Sequence, residues 1–271
     1  MLLRYLAKQA SDKNNFTINT ITAANLTGTN SKDNIINSGA RVSIDSKSGN
    51  DIIDNSGSRS YVNLGAGNDY VYSTGSYVTI SGGTGNDTIS ALTNNRALID
   101  GGAGNDFVTL SGGARQTVSG GTGNDTIYGY ASNVLYQYAS GDGKDTITDY
   151  TAGQDKIKIT SGAISSYSFS GDDVTFKIGS GSITVKDGNG KKITITDAQN
   201  KTTAQIYTNL ASSADIFEDD NFISSSARID DISEVTVDNF SVAEIKNFET
   251  FAQDNKFSAN NFSEKPTGAR K

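Results

Sequence analysis

Residues 82–90 read GGTGNDTIS and residues 120–128 read GGTGNDTIY, with GGAGNDFVT at 101–109 between them. Glycine loses more conformational freedom on ordering than any other residue, and Asn and Asp are poor strand formers. A chain that repeats such a turn must gain something at every copy. Outward from Asp87, equivalent aspartates fall at Asp33, Asp51, Asp69, Asp106, Asp125 and Asp145, with successive gaps of 18, 18, 18, 19, 19 and 20 residues. A fixed period of this kind marks a stacked repeat architecture.

Two residues after each Asp stands an aliphatic residue: Ile35, Ile53, Val71, Ile89, Val108, Ile127 and Ile147. Seven residues before each Asp, from the second onward, stands another apolar residue: Ile44, Val62, Ile80, Ile99, Val118 and Tyr138. Each period therefore carries two short strands, each turning one main residue inward, joined by two turns. The pattern predicts an all-β protein. Its body is a flattened parallel β-roll or β-solenoid of about 18 residues per coil, followed by a β-meander cap and a short, partly helical C-terminal segment.

The two turns of a coil are not equivalent. One carries LGAGND (64–69), GGTGND (82–87), GGAGND (101–106) or GGTGND (120–125); at the position of Asp the other carries Val42, Ser60, Val78, Ala97 or Gln116. One edge thus holds a column of aspartates and the other is expected to be silent. Neighbouring strands sit roughly 4.8 Å apart, so adjacent carboxylates repel by roughly 1 kcal/mol in water and about 3.5 kcal/mol at an effective dielectric near 20. An Asn ladder would stack without that penalty. Asp in every coil points to a cation between the carboxylates. The glycines permit positive φ, which lets a turn aim several carbonyl oxygens at one point. An all-oxygen donor set of adaptable geometry suits Ca2+ better than Mg2+. The alternative is an ion-free solenoid in which Gly-Asn-Asp merely forms good turns.

The nonamer resembles the repeats-in-toxin (RTX, haemolysin-type) calcium-binding motif GGxGxDxUx, with U a large aliphatic residue. The resemblance spans about residues 28–150, strongest in the four turns quoted and weaker in SKSGND (46–51), SGDGKD (140–145) and GTNSKD (28–33). It implies calcium held between successive turns by Asp51, Asp69, Asp87, Asp106, Asp125 and Asp145. Turn carbonyls, with glycines Gly65, Gly67, Gly83, Gly85, Gly102, Gly104, Gly121 and Gly123, complete the implied set. About three to six ions in one row are expected, the inner ones between Asp69 and Asp87, Asp87 and Asp106, and Asp106 and Asp125. The departure from the family pattern is the silent edge, since family members often load both.

Composition narrows the function classes. The chain has 271 residues, no Cys and no His. That leaves no disulfide, no thiolate site, no Ser-His-Asp triad and no HExxH zinc site. A carboxylate-pair glycosidase is formally open, yet the regularly placed acids all belong to the repeat, and no enzyme activity is expected. A net charge of −7 and a pI near 4.7 disfavour nucleic acid or an anionic membrane surface and favour cations. No run is long enough for a membrane span, and Arg4 and Lys8 cut the apolar start too short for a signal peptide. Near-matches fall away on inspection. DGNGKKITITD (187–197) lacks EF-hand ligands and reads as a hairpin between SITVK and KITIT. The glycine turns lack the GK[ST] ending of a phosphate loop. An ice-binding threonine column at Thr88, Thr126 and Thr146 is interrupted by Ile52, Tyr70 and Phe107.

After residue 150 the signature fades, and DVTFKI, SITVK and KITIT are expected to cap the open end of the stack. From about 205 glycine nearly vanishes. SVAEIKNFETFAQ sets Val242, Ile245, Phe248 and Phe251 on one helical face behind a capping-box pair, Ser241 and Glu244. Ile229, Ile232 and Val235 suggest an earlier weak helix. By position this segment resembles the uncleaved signal of type I-secreted RTX proteins; a helical cap or dimerisation helix is the alternative. The expected organisation is a lead-in (1–27), the calcium-binding roll (28–150), a β-rich cap (151–204) and a C-terminal segment for a type I secretion transporter (205–271). The expected protein is secreted, extracellular or at a bacterial cell surface, and folds on meeting calcium. Alternatives are the carrier end of a larger exoenzyme, toxin or adhesin, and an adhesive module with its ligand site at 151–204.

Overall fold

The computed structural model describes residues 15–92 and 95–206. The predicted solenoid is present, with coils of 18 to 21 residues from β1 to β16, and no helix occurs among the described residues. One wall is a parallel sheet built from β1 (Asn15–Asn19), β3 (Asp33–Asn37), β5 (Ile52–Asn55), β7 (Tyr70–Ser73), β9 (Thr88–Leu92), β11 (Phe107–Ala114), β13 (Thr126–Ser132) and β15 (Lys144–Thr148). The facing wall runs β2 (Asn25–Thr27), β4 (Ser43–Asp45), β6 (Tyr61–Ala66), β8 (Thr79–Thr84), β10 (Leu98–Ala103), β12 (Thr117–Thr122), β14 (Leu135–Tyr138) and β16 (Lys156–Ile159). The chain alternates between walls at every turn. Parallel pairing begins at Asn15 and continues past Lys156, further in both directions than the Asp motif.

The core is two facing aliphatic columns. Ile35, Ile53, Val71, Ile89, Val108, Ile127 and Ile147 line one wall; Ile44, Val62, Ile80, Ile99, Val118, Tyr136 and Ile157 line the other, all at most 3% exposed. β-Branched side chains suit a pleated, half-buried surface, and each contributes roughly 1.5–3 kcal/mol on burial. One expectation is corrected here. Tyr136, not Tyr138, pairs with Val118, because the extra residues of this coil lie in the turn after Tyr138. Tyr138 instead occupies the register of Gly120.

The cap also differs from expectation. β17 (Ile164–Ser170), β18 (Asp173–Ile178) and β19 (Gly181–Val185) form an antiparallel meander on the first wall, but β19 itself pairs parallel with β15. β20 (Ile193–Thr196) pairs parallel with β16 on the second wall and antiparallel with β21 (Thr202–Ile206). The segment 187–192 is therefore no hairpin between β19 and β20. It crosses between the walls like any other coil turn, because both flanking strands have parallel edges still to pair. The predicted C-terminal helices and secretion signal lie outside the described residues.

A feature not foreseen from sequence lies where the first wall enters the turn opposite the aspartates. Buried Asn19, Asn37, Asn55 and Ser73 form a ladder. Asn19 Nδ2 donates to Asn37 Oδ1 (2.7 Å), Asn37 Nδ2 to Asn55 Oδ1 (2.7 Å), and Asn55 Nδ2 to Ser73 Oγ (3.2 Å). Asn37 also closes its own turn, donating to Gly39 O and accepting from Gly39 N–H. An amide carries both donor and acceptor, so the ladder satisfies itself. Replacing Asn37 with Ala strands buried groups on Gly39 and on the neighbouring rungs. The expected loss is at least about 2 kcal/mol, read as a lower urea midpoint with little change in slope. Asn37→Ser, which copies the Ser73 rung, is expected to lose less.

Candidate metal centre

The opposite turns bring the predicted aspartates into one continuous column. Asp33, Asp51, Asp69, Asp87, Asp106, Asp125 and Asp145 are all 1–5% exposed. Each carboxylate reaches back one coil: Asp51 Oδ1 accepts from Asp33 N–H (2.8 Å), Asp69 Oδ1 from Asp51 N–H (2.7 Å), and Asp87 Oδ1 from Asp69 N–H (2.8 Å). The same bond joins Asp106 Oδ1 to Asp87 N–H, Asp125 Oδ1 to Asp106 N–H (2.7 Å each) and Asp145 Oδ1 to Asp125 N–H (3.1 Å). Just outside, the preceding asparagines bond in the reverse sense. Asn50 Oδ1 accepts from Asn68 N–H, and Asn68, Asn86, Asn105 and Asn124 each serve the next coil. Sequence reasoning left this Asn row unassigned, although its position before five of the seven aspartates marked it.

The second oxygen of the column is the informative one. Oδ2 of Asp51, Asp69, Asp87, Asp106 and Asp125 is buried and has no hydrogen-bond partner. Five orphaned carboxylate oxygens in one register are far outside the usual rule that buried polar atoms are paired. At the N-terminal end the pattern stops, because Asp33 Oδ2 is bonded by Thr29 through its N–H (2.6 Å) and its hydroxyl (3.1 Å). At the other end Asp145 is not among the orphans. There Tyr138 fills the register that glycine holds in the inner coils, and its hydroxyl donates to Gly143 O (2.6 Å).

Glycine is required on this edge for two reasons. Gly65, Gly67, Gly83, Gly85, Gly102, Gly104, Gly121 and Gly123 all have φ between 95° and 142°, a region that L side chains rarely enter. Neighbouring coils also leave no room: a Cβ on Gly85 would overlap the carbonyl oxygen of Gly67 one coil back. The first glycine of the motif, absent from the predicted set, matters differently. A Cβ on Gly82 would sit 2.6 Å from Asp87 Oδ2, and Gly101 stands in the same relation to Asp106. These glycines form the notch into which the orphaned oxygen projects. Sequence-predicted Asp and Gly residues therefore do converge, as one carboxylate per coil beside stacked carbonyls. Among the described residues no three acidic side chains meet at a point.

Burial, more than mutual repulsion, loads the column. Burial is the largest cause raising every shifted carboxyl in it, followed by the opposing effect of the N–H bond from the previous coil. Asp69 is pushed up to about 7, Asp87 and Asp125 to about 6, and Asp145 to about 8, from 3.8; Asp51 and Asp106 are also raised. Neighbouring carboxylates add to this, among them Asp100 and Asp142. Both lie beside the motif and were missed because they are not at its repeating position. The sequence argument from repulsion therefore named the right residues with the smaller of two causes. Each unit of elevation opposes folding by about 1.4 kcal/mol once the pH exceeds the raised value. The column as a whole therefore opposes folding increasingly as its carboxyls ionise.

The donor set fits a hard cation. It is all oxygen, it is anionic, and its unpaired atoms lie in register along a single edge. A pH dependence follows for the ion-free chain. Between the unfolded carboxyl range near 4 and the raised folded values near 6 to 8, the folded state holds more protons than the unfolded state. Its stability must therefore fall as pH rises through that window. In metal-free buffer the β signal by circular dichroism is expected to grow as pH is lowered from 8 to 5. A folded fraction that increases with pH over that range contradicts the assignment.

No protein-family model matches the chain, and no curated protein matches it. Among solved structures, the extracellular lipase LipA from Serratia marcescens aligns with 60% of this chain and 38% of its own, at 15% identity and a TM-score of 0.35.

Proposed function

We propose that this chain is a secreted calcium-binding repeat protein that folds when it meets extracellular calcium, acting as a non-catalytic surface or matrix component. The observation that carries the reading is the row of five buried, unpartnered Asp Oδ2 atoms beside positive-φ glycines. In the proposal, Asp51, Asp69, Asp87, Asp106 and Asp125 supply the anionic oxygens, the stacked turn carbonyls supply the neutral ones, and Asp145 serves a weaker outer position. The bound ion contributes charge neutralisation in a site already stripped of water. With five orphaned oxygens in the row, three to six ions is the expected range.

The energetics make folding conditional. Extracellular calcium modules bind with Kd on the order of 0.1–1 mM. At about 1 mM calcium and a Kd near 0.1 mM each site adds roughly 1.4 kcal/mol, and neutralising the column also removes the burial cost described above. Where calcium is scarce the aspartates oppose folding, and the chain stays open enough to thread a type I transporter; outside the cell the same residues drive folding. The transporter step rests on the sequence of 205–271 alone.

Circular dichroism across a calcium titration tests the reading. At pH 7.5 the chain is expected to be largely unfolded in excess chelator and to gain its full β signal cooperatively in the millimolar range. Asp87→Asn is expected to reduce the calorimetric ion count by one or two and to shift the midpoint to higher calcium. A full β signal in chelator, or no calorimetric binding, overturns the proposal.

A further inference from the structure

The edge opposite the aspartates is not silent. In five successive coils, between Ala23 and Asn133 at the same position, a non-glycine residue of that turn sits in the left-handed region: Arg41 (φ 56°), Arg59 (56°), Tyr77 (59°), Arg96 (54°) and Arg115 (60°). Each is locked in register by its N–H, which donates to the next coil: Arg41 to Ser58 O, Arg59 to Ser76 O, Tyr77 to Asn95 O, Arg96 to Ala114 O and Arg115 to Ser132 O, at 2.8–3.0 Å. The side chains are exposed. The guanidinium groups of Arg59 and Arg96 lie over the two faces of the Tyr77 ring, 5.3 and 5.7 Å from its centre. The result is a straight row ordered cation, cation, aromatic, cation, cation, with one member per coil.

Three facts separate this row from ordinary surface arginine. The left-handed turn position favours Gly or Asn, so local backbone preference does not select Arg there four times. Between Ser48 and Gly143 the only basic residues are Arg59, Arg96 and Arg115, all in the row, while the same stretch holds eight aspartates. None of the four arginines takes part in an ion pair among the described residues, and turns 38–42, 56–60, 74–78, 92–97 and 111–116 contain no acid. Among the described residues, like charges stack along this edge with no counter-charge paired to them.

We propose that this edge binds a linear anionic polysaccharide, with its carboxylates on the arginines and Tyr77 holding the guanidiniums of Arg59 and Arg96 in place. Neighbouring coils sit roughly 4.8 Å apart, so the row offers closely spaced guanidiniums along which a flexible chain of carboxylates can lie. Guanidinium offers the planar fork that a carboxylate accepts. None of the chain's lysines stands in the row. Duplex DNA fits poorly because its phosphates wind around an axis, and single strands need aromatic platforms for successive bases, where this row has one. Among the described residues a second copy of the chain offers no exposed acidic row to match, since the aspartate edge buries its carboxylates and presents Asn amides.

The test uses the full chain in saturating calcium, with polygalacturonate as probe, neutral dextran and an oligo-dT strand as comparators, and affinity measured against salt. Binding to polygalacturonate is expected to fall steeply with salt and to be absent for dextran. R59Q, R96Q and R115Q are each expected to weaken it about two- to five-fold and to reduce the salt slope by about one, with circular dichroism unchanged. The variant lacking all four arginines is expected to lose on the order of a hundred-fold; if it does not fold, the salt slope of R96Q decides. A salt slope unchanged by R96Q, no binding to polygalacturonate at low salt, or equal or tighter binding of oligo-dT overturns the proposal. Because folding is monitored separately, failure of the calcium reading shows as a β signal without calcium and leaves this test intact.

Discussion

The structure depends on a single repeated bond, the backbone N–H of one aspartate donated to the carboxylate of the next. Parallel strands pair their own backbones along the walls, and turn amides such as Gly67 N–H also reach a carbonyl of the next coil (Thr84 O). The Asp and Asn N–H groups of the glycine turn meet side chains instead. An acceptor from the adjacent coil must close them. Asp Oδ1 does so from within and Asn Oδ1 from the rim, in opposite directions along the stack. That pair of side-chain bonds sets the spacing of the turns, and the turn glycines then fit only because no Cβ intrudes between successive coils.

The molecule runs its own control on the other side. There the ladder of Asn19, Asn37, Asn55 and Ser73 solves the same closure problem with neutral groups, and each rung is bonded on both sides. Asp is nearly the same size as Asn yet has no donor. When Oδ1 closes the turn, Oδ2 is left with nothing. A fold that needed only stacked turns had the Asn solution available and used it across a few coils. Keeping Asp at the glycine edge retains an anionic oxygen that no described residue satisfies, and that difference makes this edge the candidate cation site.

Much of this was legible in the sequence because a solenoid writes its geometry as a period. Asp and the aliphatic two residues later fixed the first wall, and the second wall followed up to Val118. The reading failed where the period stretched. The 20-residue interval before Asp145 misplaced Tyr138, since extra residues in a turn shift a fixed offset without shifting the register. The strands after 150 were misread as one meander, because alternation identifies a strand but not the wall it joins. The Asn ladder was hidden by its decay to Ser73, and the outer Asn row was overlooked beside the more reactive Asp. The energetic origin of the column was likewise invisible, since burial depth is a property of the folded edge and not of the spacing.

Net charge was the most misleading number. A value of −7 suggests an acidic surface, yet the repeat's regular acids lie within the aspartate edge at a few per cent exposure, while Arg41, Arg59, Arg96 and Arg115 are exposed on the opposite edge. Charge that is buried and compensated by an ion contributes little to what a partner meets, whereas exposed charge is felt within a Debye length of about 8–10 Å. Along the edge from Arg41 to Arg115 a partner therefore meets the row of arginines first, whatever the sum over the sequence. A solenoid makes that separation easy. Each coil places one turn on each edge, so a substitution repeated once per period changes one edge along its whole length and leaves the other untouched.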